Sequence, residues 1–153
     1  MGTRLSPVST SVPQIIASAA LTVETRGPGF TDITRDIRDF VRNANAQQGV
    51  LLVYLRHTSA SLVIQENADP DVQTDLAAAL ERLAPENAGW VHSIEGPDDM
   101  PAHIKSMLNG VSLSIPVEDG IPVLGTWQGV YLVEHRRAPH RREVALQFIG
   151  AAG

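Results

Sequence analysis

The chain has 153 residues, 43% hydrophobic and 19% charged, with no cysteine and a formal net charge of −5. That length and balance imply one globular domain and exclude a disordered or fibrous chain. The missing thiols exclude disulfides, cysteine nucleophiles and sulfur-ligated metals, and the net acidity argues against general nucleic-acid binding.

Residues 1–13 hold Arg4 followed by Ser6-Pro7-Val8-Ser9-Thr10-Ser11-Val12-Pro13, which reads as a flexible leader ahead of a single domain at 14–150. The apolar run Ile15–Leu21 is interrupted by Ser18 and far short of the about 20 residues a bilayer requires, so the expectation is a cytoplasmic protein with no membrane partner. Residues 14–25 form a predicted strand, closed by the turn cluster Gly27-Pro28-Gly29. Thr31 and Asp32 cap a predicted helix whose apolar positions Ile33, Ile37, Phe40, Val41 and Ala44 fall on one face. The nearly continuous apolar run Val50–Arg56 suits a strand buried on both faces, with Ser61–Gln65 beside it or continuing it.

Asp69-Pro70-Asp71 announces a second helix: a capping carboxylate, proline in the first turn, and an acid facing the positive end of the helix dipole. Val72, Leu76, Leu80 and Leu83 form its predicted buried stripe, and Pro85 stops it. A short helical piece at Ala102–Leu108 ends at Asn109-Gly110. Strands follow at Val111–Val117, Ile121–Leu124, Trp127–His135 and Glu143–Ile149, with Asp119-Gly120 as the strongest hairpin signal. The sum is α+β: a sandwich-like arrangement of largely antiparallel sheets with two main helices.

Without cysteine, a metal must rest on histidine, carboxylate or carbonyl oxygen, and three segments concentrate such groups. In His57-Thr58-Ser59-Ala60-Ser61 an extended chain puts His57, Ser59 and Ser61 on one face, where the histidine can ligate, transfer a proton or hydrogen-bond a turn. In Gln65-Glu66-Asn67-Ala68-Asp69, Asp69 reads as a cap, whereas Glu66 has no evident local backbone role. The densest polar stretch, His92–Lys105, holds His92, Glu95, Asp98, Asp99, His103 and the chain's only lysine, Lys105. Imidazoles suit zinc-like ions and paired carboxylates suit magnesium, although no HExxH-type spacing occurs. Farther on, Trp127 and Gln128 sit between glycines, and Arg136, Arg137, Arg141 and Arg142 read either as a phosphate clamp or as a basic hairpin tip.

HTSASL (57–62), QENADP (65–70), EGPDDMPAHIK (95–105), the NG-VSLSIPV strand and GTWQG-YL-EHR (125–136) together resemble the YjbQ family over roughly residues 15–150. The resemblance implies a homotrimer with a polar pocket near the subunit interface. It also implies a weak thiamine-phosphate synthase activity, joining hydroxymethylpyrimidine pyrophosphate to thiazole phosphate with release of pyrophosphate. On that reading His57, Ser59, Glu66, Asp99 and His103 are catalytic, with Asp98 as the alternative to Asp99, and Asn67, Lys105, Trp127, Gln128 and Arg142 contact a phosphorylated metabolite. A divalent ion, zinc or magnesium, would rest on His57, His92 and His103. Two alternatives stand beside it: a metal-dependent hydrolase of a small molecule, and a non-catalytic metabolite-binding trimer.

Overall fold

The computed structural model describes residues 2–153. In chain order the elements are β1 (Ile15–Thr25), β2 (Gly29–Asp32), α1 (Thr34–Asn43), β3 (Ala46–Leu55), β4 (Ala60–Glu66), α2 (Pro70–Leu83), α3 (Asp99–Asn109), β5 (Ser112–Glu118), β6 (Ile121–Pro122), β7 (Gln128–Glu134) and β8 (His140–Ala152). Residues 2–14 precede the first strand, without helix or strand of their own.

Two antiparallel sheets, ordered β1-β8-β3-β5-β6 and β2-β7-β4, form the sandwich. Their alternating inward residues make one core: Leu51, Val53, Leu55, Ile115 and Phe148 from the larger sheet, Leu62, Val130 and Leu132 from the smaller. Ile37 and Val41 of α1 are fully buried in the same core, as the helical spacing predicts. The predicted hairpin is present. Asp119 and Gly120 both have positive φ, 50° and 77°, the geometry of a two-residue turn that asparagine, aspartate and glycine tolerate. Gly49 faces Gly150 across β3 and β8, where a Cβ on Gly49 would lie 2.2 Å from the Ile149 carbonyl oxygen. Only glycine permits that approach.

Four features depart from the sequence reading. β2 occupies residues taken as turn and cap; it pairs with β7, and the Asp32 carboxylate accepts the Thr34 N–H at 2.9 Å, so Asp32 still serves the start of α1. β3 is not buried on both faces: Leu51, Val53 and Leu55 point inward, while Tyr54 is exposed, because no helix covers the outside of the larger sheet there. α3 begins at Asp99, ahead of Pro101, which sits in the first turn, where a missing N–H breaks no intrahelical bond.

The fourth is α2. Its cap forms as expected, with the Asp69 side chain accepting the Asp71 N–H at 2.9 Å. None of its residues is fully buried, however: Val72, Leu76 and Leu80 of the predicted stripe are half-buried and Leu83 is 65% exposed.

Candidate functional site

At the start of α3, three side chains converge. Asp99, 1% exposed, receives His92 Nε2 at 2.6 Å and His103 Nε2 at 3.0 Å on its Oδ2, and Arg136 Nη1 at 2.6 Å on its Oδ1. Asp99 and His103 meet because positions four apart share a helix face. His92 is delivered by the preceding loop. One ligand atom from each of His92, Asp99 and His103 lies within 4.8 Å of the others, and this is the one such group of three among the described residues.

The proton positions sharpen this geometry. His103 Nδ1 lies 2.7 Å from the Thr58 carbonyl oxygen, which can only accept, so Nδ1 carries a proton. With that proton in place, Nε2 donates to Asp99 only from the doubly protonated ring, whereas in the neutral ring its lone pair faces the carboxylate, the form that could ligate an ion. Two nitrogens and an anionic oxygen pointed at one spot, with the outer nitrogen of His103 anchored on a carbonyl, match the support usually given to metal-ligating imidazoles. Burial by itself raises the Asp99 carboxyl, but the hydrogen bond from His92 and then the charges of His103 and Arg136 outweigh it and hold the group below the usual carboxylate range. The carboxylate is therefore ionised at neutral pH, and the partly exposed histidine side chains leave the open side to solvent.

Arg136 fixes this arrangement from the far end of β7. Its Nε donates to Asp98 Oδ2 at 3.0 Å and its Nη2 to the Glu95 carbonyl at 3.0 Å. Asp98 also accepts the Arg137 N–H at 2.9 Å, so Asp98 holds the loop while Asp99 faces the histidines. Arg136 closes the GTWQG-YL-EHR motif, but nothing in its spacing points to its partners, which lie nearly 40 residues earlier.

His57 does not join His92 and His103. Its Nε2 accepts the Glu143 N–H at 2.9 Å, so that lone pair is already bonded to backbone. Burial, then the charge of Arg142, lowers its pKa and keeps the ring neutral. Asp99 stands where the sequence reading places His57. Arg142 is not a free phosphate contact either. It is 2% exposed, and its guanidinium grips Glu134 at 2.7 Å through Nε and 2.5 Å through Nη2. Ser59, also buried, accepts Arg142 Nη2 at 3.1 Å through its hydroxyl.

Glu66 has a local backbone role after all, accepting the Asp69 N–H at 3.1 Å ahead of α2. Asn67 Nδ2 donates to the Thr126 carbonyl at 3.2 Å, and Gln128 Oε1 accepts the Gly125 N–H at 2.7 Å. Trp127 beside them is 65% exposed. These four residues sit at the Glu66↔Gln128 end of the β4–β7 ladder, whereas Ser59 and Glu134 lie at the Ala60↔Glu134 end. Six residue steps of about 3.3 Å separate the ends by roughly 20 Å. Apart from Lys105, the sequence-predicted site residues therefore fall toward the two ends of this ladder within one copy of the chain.

Lys105 belongs to neither. Two positions after His103 on α3 it projects from the opposite side of the helix, is 6% exposed and pairs with Glu81 of α2. His135, to which the sequence reading assigns no role, is also buried there, and burial followed by the charge of Lys105 pushes its pKa down to about 4.

The family model described as UPF0047 protein YjbQ-like matches residues 19–151. A UPF0047 protein of Synechocystis is 49% identical over 131 residues, covering 85% of this chain and 89% of the relative. The UPF0047 protein YjbQ of Salmonella typhimurium is 45% identical over 117 residues, covering 76% and 85%. Among solved structures, an uncharacterized conserved protein of the yjbq/upf0047 family from Clostridium acetobutylicum superposes with a TM-score of 0.79 at 35% identity, over 85% of this chain and 98% of its own. No helix among the described residues is long and apolar enough to cross a membrane.

Proposed function

The chain belongs to the YjbQ-like UPF0047 family, and from that premise and the site's geometry we propose that it is a cytoplasmic, divalent-metal-assisted enzyme acting on a phosphorylated small molecule. The observation that carries this reading is the shared focus of His92 Nε2, His103 Nε2 and Asp99 Oδ2. These three would hold the ion; zinc suits two imidazoles better than magnesium does. A bound divalent ion supplies neutralisation of the negative charge that builds on phosphate oxygens as a leaving group departs.

The chain's own groups prepare that event. Arg136 holds Asp99 in place through the other carboxylate oxygen, and Thr58 fixes the tautomer of His103. The reaction to test first is the pyrophosphate-releasing formation of thiamine phosphate. A second reading, hydrolysis, draws support from a specific observation: Lys105 and Arg142, the expected phosphate contacts, are both engaged in internal ion pairs. The homotrimer is part of the same proposal. It would let the Glu66–Gln128 end of one copy face the metal centre of the next. Val91 and Ile94, 99% and 95% exposed on either side of His92, fit a surface that a second copy covers.

The test is metal analysis of the purified full chain, then pyrophosphate release from hydroxymethylpyrimidine pyrophosphate with and without thiazole phosphate, before and after chelation. One ion per chain, activity lost on chelation, and both absent in Asp99→Ala are the expected results. Release that requires thiazole phosphate selects the transferase; release without it selects the hydrolase. Undiminished activity in metal-free protein overturns the proposal.

A further inference from the structure

Beneath α2 lies a cavity of about 230 Å³, on the opposite side of α3 from the histidines. Apolar walls come from Phe30, Ala77, Leu80 and Val133, and the polar wall from Lys105, His135, Glu81 and Glu134. Apart from the exposed Glu81 carboxylate, its hydrogen-bonding capacity is one-sided.

Both oxygens of Glu134 are fully engaged: Oε1 accepts Thr25 Oγ1 and Arg142, and Oε2 accepts Arg142 and the N–H groups of His135 and Arg136. Ser61, with no exposure, accepts Asn109 Nδ2 at 3.0 Å, so its own proton goes to His135 Nε2 at 2.9 Å. His135 therefore carries its proton on Nδ1, which has no partner in the protein. Every enclosed side-chain nitrogen and oxygen among the described residues is bonded, so Nδ1 opens onto accessible space, and the cavity is what this buried residue borders. An ammonium has three donors, and Lys105 uses one, on Glu81. The other buried charges, Arg142, Glu134 and Asp99, each hold several partners. Glu81, by contrast, is 63% exposed on a helix none of whose residues is fully buried.

We propose that this cavity is a binding site for a small organic carboxylate with a compact apolar body, which pairs with Lys105 and His135 Nδ1 in place of the Glu81 side chain while α2 covers it. Lys105 already accommodates a carboxylate, and once the exposed Glu81 side chain turns out to solvent the cavity's polar side chains offer free donors and no free acceptor, which selects an anion. The volume admits a ligand well below drug size. The site is independent of the metal centre, which opens on the other side of α3.

The test is calorimetric titration of the full chain with benzoate, its neutral counterpart benzamide, and inorganic phosphate, each with and without chelator. Saturable benzoate binding, indifferent to chelation and weaker for the other two probes, is expected. Lys105→Met should weaken it about 10- to 100-fold through loss of a charged hydrogen bond. Glu81→Gln, which keeps an oxygen acceptor for Lys105, should strengthen it about two- to five-fold by removing the competing carboxylate charge. No benzoate binding, equal benzamide binding, tighter phosphate binding, dependence on metal, or a Glu81→Gln variant that binds no better overturns the assignment.

Discussion

Replacing Arg142 with methionine separates two roles that the sequence leaves open, phosphate contact and structural counter-ion. Arg142 and Glu134 are 2% exposed each, and the pair is bidentate. Removing the guanidinium leaves the Glu134 carboxylate with neutral donors only, from Thr25, His135 and Arg136. An uncompensated buried charge of this kind costs about 3–5 kcal/mol. In a domain of this size each kcal/mol lowers the melting temperature by about 2–4 °C, so a fall of roughly 6–20 °C is expected by calorimetry. The loss must also depend on pH. In the native protein burial opposes ionisation of Glu134, yet Arg142 and Thr25 outweigh it and hold the pKa below its usual 4.5. The pair therefore stabilises above about that pH, and the stabilisation fades as acid titrates the group through its lower folded value. Without Arg142 the buried carboxyl takes a proton more readily than usual, so the gap between variant and native protein should narrow as pH falls from 7 toward 4.5. The double change Arg142→Met with Glu134→Gln should recover most of the stability, because no charge is then stranded. A single variant that melts within about 1 kcal/mol of the native protein but loses activity would refute the structural role and restore Arg142 as a ligand contact.

Zinc at a hundred times its dissociation constant should stabilise the chain by about 2.7 kcal/mol, seen as a higher melting temperature that Asp99→Ala abolishes. Asp69→Ala removes the α2 cap, worth about 0.5–2 kcal/mol; hydrogen exchange should show α2 amides opening, with little change in global melting, because no residue of α2 is fully buried. Gly49→Ala forces a Cβ onto the Ile149 carbonyl oxygen and should cost about 1–3 kcal/mol in urea unfolding. Trp127→Ala at an exposed site should change stability by less than about 0.5 kcal/mol, so any loss of activity it causes would report ligand contact.

Features that depend on near neighbours were legible in the sequence. The Asp69 cap, the Asp119-Gly120 turn and the inward face of α1 all follow from residues within a few positions of one another. Family motifs brought His92, Asp99 and His103 into view, but not their arrangement. Whether His57 or Asp99 completes the group depends on the lone pair of His57 meeting Glu143, 86 residues later. Arg136 and Arg142 look alike in sequence, yet one locks the loop at Asp98 and Asp99 and the other is sealed against Glu134. The α2 stripe names the face that turns inward, with Val72, Leu76 and Leu80 half-buried, but periodicity does not show how closely that face is covered.

β8 is the central strand of its neighbourhood, bonded to β1 on one side and β3 on the other. Ile15 pairs with Gly150, so the first strand waits for a partner 135 residues away. During synthesis neither β1 nor β3 can gain that partner until residues 140–152 leave the ribosome. Arg136, the clamp on the Asp98–Asp99 loop, is likewise a late arrival. The smaller sheet, complete with β7, can pair earlier, but closure of the larger one is a final event dominated by distant contacts. Such topologies fold slowly for their size. The nascent chain thus exposes strands β1 and β3 for most of its elongation, and cellular yield should respond to chaperone supply and growth temperature more than to changes at the site.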